Sequence, residues 1–368
     1  MNDRTRILLA VGLTVLLFLG VQLGALALTE PFHESDRQAV EDPDNPTNSI
    51  VYFAIILVAT GFMLAAFKFD LQWLIRLLIV GVSVMLAWYV FVELVPPVVT
   101  VGETNVLAGL AAIGVGAGLL FYPEWYVIDT AGVLMGAGAA ALFGISFGLL
   151  PAILLLSVLA VYDAISVYGT EHMLDLAEGV MDLKIPVVLV VPTTLSYSYL
   201  AAGSTDDVLE DGGDESIETA GSAAGANGAA APGDDSAAED AGSGTEGGDR
   251  DTRTQDDDRV AGEDDAPADE LERDALFIGL GDAVIPTIIV VSAAYFLDAG
   301  TIAVPVIALN YAALGAIVGT IAGLLVLMYM VLKGRPHAGL PLLNGGAIGG
   351  YLLGALASGV SIVTALGF

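Results

Sequence analysis

The sequence predicts an all-α polytopic membrane protein of nine transmembrane helices, six in an N-terminal part and three in a C-terminal part. Three observations predict it. Hydrophobic residues make up 55% of the chain and the mean hydropathy is +0.76, which a soluble chain could bury only in a very large core. The formal net charge is nevertheless −31, so the acidic residues must be segregated from the apolar ones. Nine apolar runs reach the roughly 17–25 residues needed to cross a hydrocarbon layer about 30 Å thick.

The runs are 7–28, 50–68, 72–95, 104–121, 126–147, 149–169, 275–297, 302–332 and 338–366. The first ends in "ALALTE", which looks like a signal-peptide cleavage site. Its apolar stretch is too long for a typical signal core, so it reads as a retained helix. The fifth and sixth runs are separated only by a tight turn around Leu149–Pro151. Orientation follows from the basic residues. Arg4 and Arg6 precede the first span, Lys68 and Arg76 bracket the second turn, and Lys333 and Arg335 fill the eighth. With nine spans all three places fall on one side, the cytoplasmic one, and the C-terminus falls outside. The expected location is the cell membrane.

The division into parts comes from residues 201–274, rich in Gly, Ala, Ser, Asp and Glu. This stretch cannot bury enough apolar surface to offset its chain entropy and reads as a disordered cytoplasmic loop. It separates an N-terminal part, 1–200, from a C-terminal part, 275–368. Acidic polar segments of this kind suit a salt-loving organism, and equally any acidic tail. Residues 171–182 place Glu171, Asp175, Glu178 and Asp182 at helical spacing, as in an amphipathic helix at the cytoplasmic interface. The stretch 185–200 is apolar but cut by Pro186 and Pro192, and reads as a half-buried strand or irregular segment.

Several function classes drop out on composition. The chain has no Cys, which excludes disulfides, thiolate metal sites and cysteine nucleophiles. Its three histidines, His33, His172 and His337, are scattered and suggest neither a zinc cluster nor a histidine-based triad. No cofactor and no nucleic-acid partner are implied; the lipid bilayer is. Small residues recur at four-residue spacing: Gly132/Gly136, Gly315/Gly319/Gly323 and Gly346/Gly350/Gly354. Such spacing brings helix backbones close together in lipid.

Two carboxylates lie well inside apolar runs: Asp163 in "VLAVYDAISVYG" and Asp282 in "LFIGLGDAVIPT". Glu93 and Asp129 sit near span ends, where snorkelling or headgroup contact suffices. An ionised carboxylate in hydrocarbon is costly, so an intramembrane acid is a functional candidate, the alternative being a structural hydrogen bond. Asp163 falls about six residues before the inner end of the sixth span, and Asp282 about six after that of the seventh. At 1.5 Å per residue both lie roughly 9 Å below the cytoplasmic surface. Two carboxylates meeting there cannot both ionise cheaply and hold one proton between them. That is the acid–base arrangement with which aspartic proteases activate water. A proton- or cation-coupled transporter could also use such a pair as a relay. Gly279 and Gly281 allow close approach beside Asp282, and Pro286 can free a backbone carbonyl one turn on. The ninth span opens with "GLPLLNGGAIGG", which brings a Pro- and Gly-broken backbone to the same depth.

At these residues the chain resembles the presenilin/signal peptide peptidase family of intramembrane aspartyl proteases, in particular its archaeal presenilin-like members. The matching motifs are Tyr162-Asp163, Gly279-Leu280-Gly281-Asp282 and Pro341-Leu342-Leu343, in order on the sixth, seventh and ninth spans. The resemblance implies that Asp163 and Asp282 are the catalytic pair. It implies that Pro341, Leu342 and Leu343 shape the active site and contact substrate, with Tyr162, Gly279, Leu280 and Gly281 beside them. It further implies transmembrane protein substrates of type I, given an inside N-terminus, and no obligatory partner subunit. Leu342 departs from the family's usual Pro-Ala-Leu. The prepilin-type peptidases share a Gly-x-Gly-Asp motif but carry a Lys soon after the Asp, where this chain has "DAVIPT".

Overall fold

The computed structural model describes residues 3–69, 71–102, 104–169, 188–192, 275–332 and 338–368. Among them are nine long helices: α1 (Asp3–Glu34), α2 (Thr47–Lys68), α3 (Gln72–Leu94), α4 (Val106–Phe121), α5 (Trp125–Ser146), α6 (Leu149–Gly169), α7 (Leu280–Phe296), α8 (Tyr311–Val331) and α9 (Gly339–Ala357). A single turn, α10 (Ile362–Ala365), follows. Seven of the nine are long and apolar enough to cross a membrane, while α4 and α7 are shorter apolar helices of 16 and 17 residues.

The protein is mostly helical rather than wholly so, because two small antiparallel ribbons interrupt it. β1 (Thr100–Val101) and β2 (Thr104–Asn105) form a hairpin whose turn passes through Gly102 at a φ of 64°, where glycine carries no steric penalty. β3 (Val188–Pro192) pairs with β4 (Ala275–Gly279), Val188 opposite Gly279 and Pro192 opposite Ala275. Of the stretch 185–200, read as a half-buried strand or an irregular segment, residues 188–192 form a strand, and it is buried throughout. Residues 275–279, expected to begin the seventh helix, are its partner strand instead. Non-helical backbone inside a helical bundle persists where its polar groups are paired within the protein. Here the inner edges of β3 and β4 pair with each other, and on the outer edge the Val190 N–H donates to Asp129 of α5.

Other boundaries also move. Helix α8 starts at Tyr311, not 302, because residues 301–310 fold back through the bridges Thr301–Asn310 and Val304–Ile307. Asn310 then caps the helix, its Oδ1 accepting the Ala313 N–H at 2.8 Å. The same amide donates to the Ala293 and Leu297 carbonyls, fastening the start of α8 to the end of α7. Helix α9 stops at Ala357, short of the expected 366, and Gly359 turns the chain at a φ of 87°. The amphipathic segment 171–182, the loop 201–274 and the basic residues Lys333 and Arg335 lie outside the described residues.

Packing follows residue size. α5 is buried along most of its length, against α1, α3 and α7. Its glycines allow this: a Cβ on Gly138 would lie 2.9 Å from Val90 of α3, and one on Gly144 would collide with Val291 of α7. Helix α2, by contrast, leaves Ile50, Ile55 and Val58 exposed, an apolar face suited to lipid. Near the end of α3, Glu93 accepts from the Arg37 guanidinium at 3.1 Å and from Ser35 at 2.7 Å. It is thus an ion-paired lock between the α1–α2 connection and α3, not a snorkelling end.

Candidate active site

The site is assembled by three helices. Asp163 lies six residues before the end of α6 at Gly169, as the sequence indicated, and its side chain is only 2% exposed. Asp282 stands in the first turn of α7, the third residue of the helix rather than about the seventh. The correction follows from β4, which takes the five residues that would have extended the helix. Asp282 is partly buried, and the two carboxylates interact electrostatically.

What joins them is the first turn of α9. The Leu340 N–H donates to Asp163 Oδ2 at 3.0 Å. The preceding residue, Gly339, lies against the other acid: a Cβ there would sit 3.5 Å from Asp282 Oδ2. Consecutive residues of one turn thus stand beside one aspartate each. The first N–H groups of a helix have no partner within it, and the helix dipole favours negative charge at that end. The α9 N-terminus is therefore well suited to hold a carboxylate.

The motif residues divide between this centre and its scaffold. Pro341 falls in the first turn of α9, where a missing N–H breaks no helical bond. The Leu342 carbonyl packs onto Gly323 of α8, where a Cβ would collide with it. Leu343 is fully buried among Phe18, Ala283 and Leu324. Leu280 packs against Gly136 of α5, 3.2 Å from where a Cβ would be. Gly279 closes the strand ladder opposite Val188, and around Gly281 a Cβ would find nothing closer than Ile285 at 3.9 Å. The Tyr162 ring stacks edge-on against Phe53 of α2, with centroids 5.8 Å apart. Pro286 lies inside α7 four residues after Asp282 and has no N–H, so the usual helical bond to the Asp282 carbonyl is not made.

Three further residues belong to the arrangement, and a fourth, Asp129, holds the ribbon that leads into it. Gly339 and Leu340 make the contacts just described; a rule as simple as the orphan N–H groups of a helix's first turn points to them. Asn344, one turn further on, is fully buried and donates to the Leu156 carbonyl of α6 at 2.9 Å. Asp129 of α5, expected at a span end facing headgroups, is buried and accepts the Val190 N–H of β3 at 2.7 Å.

The sequence matches the family described as signal-peptide peptidase, presenilin aspartyl protease, over residues 15–223 and 246–360. The chain belongs to that family. It is accordingly an aspartyl protease with several membrane-spanning helices. Two solved structures of a presenilin family intramembrane aspartate protease are similar to it. One, in space group C222, has 27% identity and a TM-score of 0.56, covering 94% of this chain and 99% of that one. The other, in space group P2, has 28% identity and a TM-score of 0.54, covering 93% and 96%. No match is found among curated proteins. Nothing in these likenesses favours the transporter alternative.

Proposed function

We propose that the protein is an intramembrane endopeptidase in which Asp163 and Asp282 activate water as a general acid/base pair. The observation that supports it above others is the first turn of α9, with Gly339 on Asp282 and Leu340 on Asp163. Two carboxylates in a low-dielectric site share one proton. Asp163 Oδ2 is engaged by the Leu340 N–H, which leaves its other oxygen and the Asp282 carboxyl to grip the water. The ionised partner takes a proton from water as the water oxygen bonds to the scissile carbon, while the protonated partner polarises the carbonyl. The C–N bond then breaks as the first partner passes that proton to the departing amine, which leaves the pair sharing one proton again. The bond cleaved lies in a transmembrane segment of a type I protein, unwound beside Pro341, Leu342 and Leu343. All nine long helices span the bilayer, α4 and α7 included, with the N-terminus cytoplasmic and the C-terminus outside. Residues 201–274 then form a solvated cytoplasmic linker between the parts 1–200 and 275–368, and no partner subunit is required.

The test uses the purified full chain, a type I transmembrane reporter and a transition-state analogue of aspartyl proteases. Asp163→Asn and Asp282→Asn should each abolish cleavage while the melting temperature stays near that of the wild type. Cleavage by either variant removes that residue from the pair.

A further inference from the structure

Asp129 is a carboxylate that the chemistry above does not use. It is the fifth residue of α5 and is 4% exposed; Ile128 next to it and Val190, which it binds, belong with Ala131 and Ala275 to one apolar cluster. Its Oδ1 accepts the Val190 N–H at 2.7 Å, and its Oδ2 has no hydrogen-bond partner among the described residues. A carboxyl in such surroundings is costly unless it does something an apolar side chain cannot.

What it does is set by the ladder. Val190 stands opposite Phe277 in the ribbon, yet its N–H goes to α5 and not to β4. That N–H therefore faces the outer edge of β3. Two residues on along the same edge is Pro192, which has no N–H to offer. Asp129 thus joins the open edge of β3 to a helix buried in the bundle. The connection continues to the active site, because β4 ends at Gly279 and α7 begins at Leu280, with Asp282 in its first turn. A slip of the ribbon by one residue would carry that junction by about 3.3 Å, the rise per residue of a strand. That exceeds what a positioned acid–base pair tolerates.

We propose that Asp129 is a positioning residue of the protease: its carboxyl fixes β3 against α5 at one register and, through β4, sets where Asp282 stands against α9. The proposal rests on the assignment of Asp282 to the catalytic pair.

The experiment compares Asp129→Ala, Asp129→Asn and Asp282→Asn in the full-length protein. It measures kcat, KM, product masses and deuterium exchange. Asp129→Asn keeps an oxygen acceptor and should stay within about threefold of wild type. Asp129→Ala should lower kcat by about tenfold with KM nearly unchanged, the pattern of a lost transition-state alignment. It should also add products cut at neighbouring bonds and speed exchange in 188–192 while α5 keeps its protection. Wild-type kcat and cut position in Asp129→Ala would overturn the proposal, whatever happens to its melting temperature. So would an equal loss in Asp129→Asn. If Asp129→Ala does not fold, Asp129→Glu, which moves the acceptor by one methylene, should shift the cut position; an unmoved cut overturns the proposal. Cleavage by Asp282→Asn would instead refute the catalytic assignment, independently of Asp129.

Discussion

Helix α9 has two flanks that are held in opposite ways. Against α8 it is backbone on backbone: Gly315, Gly319 and Gly323 face Gly350, Gly346 and the Leu342 carbonyl, and a Cβ at any of these glycines would strike main-chain atoms of the other helix. Against α6 it is held by directional polar bonds, Leu340 N–H to Asp163 and Asn344 to the Leu156 carbonyl. In lipid, without a hydrophobic drive between helices, close van der Waals packing and interhelical hydrogen bonds are the available forces. The contrast sets the flank of fixed shape apart from Asp163 of the proposed catalytic pair, which lies on the flank where geometry is set bond by bond.

Substitutions can break that contrast or sharpen it. Gly319→Val should have the largest effect, because a Cβ there meets Gly346 and Gly350 main-chain atoms that have no rotamer to escape into. A loss of about 3 kcal/mol or more is expected, with no active protein recovered, read by thermal melting and size exclusion in detergent. A variant melting like wild type would show that the seam is not rigid. Asn344→Ala removes a donor from the polar flank and should cost about 1 kcal/mol and roughly tenfold in cleavage. If activity survives untouched, Leu340 alone aligns α9 with α6. Leu342→Ala trims a partly buried side chain and should cost about 1 kcal/mol while altering the preference among reporter sequences. Identical preferences would separate Leu342 from substrate fit. Gly339→Ala should barely change melting, since the added methyl finds ordinary contact distance, 3.5 Å from Asp282 Oδ2 and 3.4 Å from Leu327. It should still slow cleavage severalfold by occupying the carboxylate's flank, and a full rate would mean that flank is not used.

Much of the candidate site was legible because lone carboxylates in apolar runs are conspicuous. Asp163 and Asp282 stood out on that ground alone, and the glycine spacing in α8 and α9 announced close packing. Which glycines would face each other was not readable, since spacing sets a face but not its partner. The strand 275–279 was hidden for a physical reason. "ALFIG" is a short apolar run continuous with a helix, and periodicity cannot tell a buried strand from a buried helix over five residues. Its partner 188–192 lies far away in sequence, so no local signal marks the pairing. Asp129 was misjudged because its place near a helix end is what a headgroup-facing acid would show; only the strand it meets gives it another role.

The β3–β4 register has a consequence for the chain between the strands, from 193 to 274. Whatever that chain does, its ends are brought together at Pro192 and Ala275. The entropy of closing a flexible loop grows only logarithmically, by about 0.6 kcal/mol for each doubling of length. For the solvated linker proposed for 201–274, insertions and deletions should be nearly silent thermodynamically. The ladder, and not the span of residues it encloses, fixes where α7 begins.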